Sequence, residues 1–234
     1  MSVKSPVIAF ASPKGGVGKT TATLTLAGEL IQQLQKPVTI IDADPNCPFK
    51  RWLKLGHKPE LLTIVLDESE DTILENIERA RQDSAAVLID LEGTKNMRVT
   101  YAVSKADLVL IPVQGSMLDA AEAAEAVKLV KRTEQGFNRQ IDFAILFTRI
   151  PAAIISRNFS DIARQFLDAQ IPVLETQLIE REAFKTMFSI GRVLHDLTDG
   201  HVSGLQKARL DSYHLAEAVI GRINNSRKKS AQAA

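Results

Sequence analysis

Residues 12–21 read SPKGGVGKTT, a glycine-rich stretch with two lysines five positions apart and a threonine after the second. Glycine lets backbone N–H groups turn inward, and several such groups ahead of a helix make a concave anion site. In that setting Gly15, Gly16, Val17, Gly18 and Thr21 offer amides to phosphate oxygens, Lys19 reaches the β- and γ-phosphates of a nucleotide, and the Thr20 hydroxyl serves Mg2+. The generic pattern has glycine where this chain has Pro13, so the match is to a variant with a second lysine, Lys14, inside the turn. The loop wraps its own phosphates, which places Lys14 better for a nucleotide held by a second copy of the chain. Two further stretches supply carboxylates. IIDADPN (40–46) sets Asp42 and Asp44 at the end of an apolar run, on one face by alternation. AVLID (86–90) ends four apolar residues in Asp90, an arrangement that holds Mg2+ through water. The chemistry in view is phosphoryl transfer, which is driven by positioning and charge stabilisation.

Such a loop works only between a strand and a helix, and the flanking sequence provides both. Short apolar runs at 7–10, 38–42, 62–66, 85–90, 108–113 and 141–147 read as strands. A helix is predicted over 19–34, with Leu24, Ala27, Ile31 and Leu34 on one face. Others follow Glu70 (Ile73, Leu74, Ile77, Ala80), span 117–132, and carry the series Ile155, Phe159, Ile162 and Phe166. Strands alternating with helices, joined by right-handed crossovers, predict an α/β fold with a doubly wound, mostly parallel sheet covered on both faces. A last helix is predicted over 208–224, followed by a polar tail. The expected organisation is one domain over 1–224 and a flexible basic tail over 225–234.

Composition narrows the class. The 234 residues are 45% hydrophobic and 24% charged, ordinary for a globular protein, and the net charge of +1 gives no global attraction to nucleic acid or membrane. A lone cysteine, Cys47, excludes an internal disulfide or an iron–sulfur site and fits a reducing cytoplasm. No apolar run reaches membrane-spanning length.

KGGVGKTT resembles, residue for residue, the signature of the ParA/MinD family of deviant Walker ATPases, and the likeness extends over about residues 5–222. It implies an ATP hydrolase with ATP or ADP and Mg2+ bound, in which Lys14 crosses the interface of an ATP-sandwiched homodimer and neutralises phosphate charge. The D-x-D-P element is similar to the family's switch, which implies that Asp44 positions the attacking water and Asp42 supports Mg2+ with Thr20 and Asp90. Leu91-Glu92-Gly93 departs from the commoner D-x-P-P. The end of the sixth strand resembles the family's adenine-contacting region, implying contacts from Thr148 and Arg149. Arg181 and Gly191, in ETQLIEREAFKTMFSIGRVL, are implied near the base and the dimer interface. The chain resembles the small members of the family, without an N-terminal helix-turn-helix extension.

From His201 onward six basic residues face two acidic ones, so Arg222, Arg227, Lys228 and Lys229 form a candidate surface for nonspecific DNA. The tail NNSRKKSAQAA (224–234) has no bulky apolar residues for membrane attachment. A cytoplasmic, nucleoid-associated location is expected. Two functions stay open: DNA partition with a centromere-binding protein, or recruitment of a relaxase–DNA complex in conjugative or T-DNA transfer, which DADPNCPFKRW (42–52) resembles. Positioning of a protein cargo is a third.

Overall fold

The computed structural model describes residues 4–67, 69, 71–93, 96–115, 117–151 and 157–233. Seven strands, β1 (Val7–Phe10), β2 (Val38–Ala43), β3 (Leu62–Leu66), β4 (Ala86–Leu91), β5 (Leu108–Val113), β6 (Phe143–Ile150) and β7 (Val173–Ile179), form one sheet in the order β3-β2-β4-β1-β5-β6-β7. Every neighbouring pair is parallel. The central strands VIAF, VTIIDA, AVLIDL and LVLIPV are buried along their whole length, as strands covered on both faces must be.

Among the described residues, eight helices cover the faces. α1 (Lys19–Leu34), α2 (Pro48–Leu53), α7 (Glu182–Ile190) and α8 (Leu205–Ala233) pack on one side, around Leu24, Trp52, Met187 and Leu215. α3 (Ile73–Asp83), α4 (Met97–Lys105), α5 (Met117–Phe137) and α6 (Arg157–Asp168) pack on the other, around Ile77, Val103, Ala126 and Ile162. From β1 the chain steps outward through β2 to β3, returns to β4, then crosses β1 to β5, β6 and β7. This reversal opens a crevice at the carboxyl ends of the central strands, where ligands of doubly wound sheets bind.

The sequence pattern and the structure differ at several elements. β7 was not predicted, because Glu175 and Gln177 interrupt the apolar run of an edge strand. β6 starts and ends later than 141–147. The short α2, α4 and α7 lacked a long periodic signal. Ile155 lies outside the described residues, while Ile162 and Phe166 are buried as the spacing predicts. α8 continues to Ala233 where the loss of apolar side chains predicted an end at 224. Residues 225–233 are mostly good helix formers, and Arg227 anchors them by donating to the Lys4 carbonyl at 2.8 Å.

Candidate active site

The glycine-rich turn leaves β1 and enters α1. Gly16 (φ +76°) and Gly18 (φ +94°) adopt the left-handed conformation that other residues resist, and a Cβ on Gly15 or Gly16 would meet nothing within 4 Å. That open side faces a cavity of about 550 Å3 at the carboxyl edge of the sheet. Lys19 is buried, and its ammonium donates to the Lys14 carbonyl at 3.0 Å.

Three side chains from outside the turn hold its carbonyls. Gln114, just past β5, and Arg149, in β6, both donate to the Gly16 carbonyl at 3.0 Å. Thr148 donates to the Val17 carbonyl at 2.5 Å. In a planar trans peptide the carbonyl and the following N–H point oppositely, so these bonds direct the N–H groups of Val17 and Gly18 away from their anchors. Arg149 itself sits at φ +54° and pairs with Glu180 at 3.3 Å.

Asp42 and Asp90 are register partners on β2 and β4, and both are fully buried. Thr20 donates to Asp90 Oδ2 at 2.6 Å, while Oδ1 has no hydrogen-bond partner. Burial pushes the Asp90 carboxyl up to about 7, with the charges of Asp42 and Asp44 adding to it and the Thr20 hydroxyl and Lys19 opposing. An orphaned oxygen beside a hydroxyl, in a site where the negative charge lacks compensation, fits a hard cation. Among the described residues no three His, Cys, Asp or Glu side chains converge, so Mg2+ here would depend on Asp90, Thr20 and the substrate's phosphates.

Asp42 is engaged differently. Its Oδ1 accepts the Asp44 N–H at 3.3 Å and its Oδ2 the Phe49 N–H at 3.0 Å. Burial raises this carboxyl to about 6 against those two donors. Asp42 therefore fixes the 44–49 turn and the first turn of α2. Asp44 lies beyond the strand end, half-buried on the cavity wall, and accepts the Asn46 backbone N–H at 2.8 Å. Asn46 also reaches Glu92 at 3.2 Å, joining the turns that follow β2 and β4.

The far wall is α7. Phe184 and Phe188 give it an apolar surface suited to a base, and Arg181 pairs with Asp211 of α8 at 2.5 Å. Trp52 donates to the Met187 carbonyl at 2.9 Å, docking α2 on α7. Thus Lys19, Thr20, Asp44, Asp90, Thr148 and Arg149 converge. The four C-terminal cations do not: Arg222 is bound to Asp142 at 2.5 Å and to the Phe143 carbonyl, and Arg227 to Lys4, at the opposite edge of the sheet. Lys228 and Lys229 are exposed there. Sequence reasoning missed Gln114, Asn46 and Glu92. Each is a polar residue just beyond a central strand's carboxyl end, a position that could have been searched.

The fold and this site define a nucleotide protein of the phosphate-loop class, of the ParA-like deviant Walker type. The sequence model for "VirC1 protein" matches residues 5–224, and the chain belongs to that family. It is 36% identical to Protein ParA of Rhizobium radiobacter over 82% of this chain and 86% of that one. It is 28% identical to Protein virC1 of Rhizobium rhizogenes, over 81% of this chain and 82% of the relative. The fold matches that of an aspartate-to-alanine variant of Cyanothece McdA in complex with ATP, with a TM-score of 0.73, 16% identity and coverage of 93% of this chain and 97% of the other. At the family level the protein is a P-loop ATPase. No helix among the described residues is long and apolar enough to cross a membrane.

Proposed function

We propose that this chain is a slow, Mg2+-dependent ATP hydrolase whose ATP-bound homodimer holds DNA without sequence preference, and that it serves DNA partition with a centromere-bound partner. The carrying observation is the Thr20–Asp90 hydrogen bond, made to a fully buried carboxylate whose Oδ1 is left without a partner, beside the glycine turn that opens α1. Backbone amides of residues 15–21 and Lys19 bind the phosphates. Mg2+, held by Thr20 and Asp90, supplies positive charge to them. Asp44 orients the attacking water, Asp42 keeps its turn in place, and Lys14 of a second copy neutralises charge that develops between the phosphates. The apolar face of Phe184 and Phe188 receives the base, with Thr148 and Arg149 at its edge. Because hydrolysis waits for a second copy, the enzyme acts as a timer.

The second reading, recruitment of a relaxase–DNA complex for transfer, draws support from the VirC1 family match over 5–224. The same assay tests both: ATP turnover of the purified chain with Mg2+, alone, with duplex DNA, and with each DNA-bound partner. Stimulation by the centromere-binding protein supports partition, and stimulation only by the relaxase complex supports transfer. Absence of Mg2+-dependent hydrolysis in every mixture refutes the enzyme.

A further inference from the structure

A second cationic stretch, equal in charge to the C-terminal one, adjoins the nucleotide cavity through Asn46. Residues 45–59 contain Lys50, Arg51, Lys54 and Lys58 and no acidic residue, a local +4 in a chain of net +1. Within it α2 is two-sided. Phe49 and Trp52 are buried, whereas Lys50, Arg51 and Lys54 are exposed. Lys58 is engaged inward, donating to the carbonyls of Pro59 and Leu62. Arg51 and Lys54 therefore face outward beside a helix whose aromatic side is anchored.

That anchoring runs through the nucleotide site. Asp42, register partner of Asp90, accepts the Phe49 N–H at the start of α2. On the other side Trp52 is held by Met187 of α7, and the Phe49 ring lies 6.4 Å from that of Phe188, which lines the cavity. A shift of the 42–49 turn or of α7 on filling the cavity must move the basic face as well.

We infer that the outer face of α2 is the nucleotide-coupled contact for the phosphate backbone of duplex DNA, a reading that rests on the DNA-riding function proposed above. Point cations on long, adaptable stems suit repeated phosphates and carry no base readout. A lipid surface is disfavoured, because the bulky aromatics that would insert are turned into the core.

The test uses the full chain with sheared duplex DNA, measuring affinity against salt with a slowly cleaved ATP analogue or with ADP. Arg51→Ala/Lys54→Ala removes two phosphate contacts per protomer, so the log–log salt slope falls by about 1.8 per protomer. Affinity in the analogue state falls about tenfold at moderate salt, the difference between analogue and ADP states shrinks, and basal ATP turnover is unchanged. Lys228→Ala/Lys229→Ala, as a comparison, retains that difference. Wild-type slope and affinity in Arg51→Ala/Lys54→Ala overturn the inference while leaving DNA binding intact. Loss of retention on polyglutamate without loss on DNA reassigns the face to an acidic protein and also overturns it. If the unmodified chain holds no DNA in either state, the proposed function and this inference fall together.

Discussion

Replacing Gly191 by alanine probes the joint between α2 and α7. Gly191 caps α7 at φ +70°, and a Cβ there would lie 2.3 Å from Leu55 Cβ and 3.1 Å from its Cδ1. Forcing a non-glycine residue into the left-handed region costs about 1–2 kcal/mol. Leu55 Cβ is fixed by its backbone and cannot swing aside, so relief requires the segments to part, an overpacking cost of about 1–3 kcal/mol. Gly191→Ala should therefore destabilise the protein by about 2–5 kcal/mol. The Met187 carbonyl accepts from both Gly191 N–H and Trp52, so the strain reaches the chain's single tryptophan. Urea unfolding followed by Trp52 fluorescence reads both the midpoint and the local environment. Leu55→Gly, which removes the obstructing atoms, should recover the steric part in a double-mutant cycle and leave the backbone part. A change within about 0.5 kcal/mol for Gly191→Ala, the range of an ordinary surface substitution, refutes the packing described for this joint.

Thr148→Val keeps the side-chain shape but frees the Val17 carbonyl, and nucleotide affinity by calorimetry should weaken about five- to tenfold, the worth of one hydrogen bond; Thr148→Ser should restore it, and an unaffected valine variant contradicts the carbonyl anchoring. Glu29 is buried, and although burial pushes its carboxyl up, bonds from His195, Ser212 and Gln33 and the His195 charge pull it below its ordinary 4.5. A lowered carboxylate stabilises above its unfolded pKa and loses that contribution as the pH falls through the folded one, so Glu29→Gln should show its deficit in urea unfolding at pH 7 and a smaller deficit below pH 4.5. A deficit independent of pH refutes the pairing. Asp90 is raised from 3.8 to about 7, so ionisation costs folded-state stability as the pH climbs between those values. Asp90→Asn should accordingly raise the nucleotide-free urea midpoint at pH 8 while losing Mg2+-dependent ATP binding. A lowered midpoint would remove the uncompensated charge from the account.

The legible parts of the molecule were those in which one short stretch determines both conformation and chemistry. SPKGGVGKTT needs a strand before it and a helix after it, and the apolar runs at 7–10 and 19–34 supplied them where the structure has β1 and α1. Asp42 and Asp90 followed from apolar runs ending in a carboxylate. Their division of labour did not, because only the Phe49 and Asp44 N–H groups show that Asp42 is committed to holding a turn. The anchors on the Gly16 carbonyl come from Gln114 and Arg149, 98 and 133 positions away, beyond any local pattern. Arg222 read as an available cation until β6 placed Asp142 beside it. α2 was hidden by its six-residue length, although its run of cations stood in plain sequence.

The central claim is that two copies close over bound nucleotide, each giving Lys14 to the other's phosphates. Analytical ultracentrifugation with Mg2+ and a slowly cleaved ATP analogue, comparing the unmodified chain with Lys14→Gln and counting bound nucleotide, tests it most directly. The account predicts dimers for the former and monomers carrying one nucleotide each for the latter. Equal dimerisation of the two, or monomers throughout at saturating nucleotide, contradicts it.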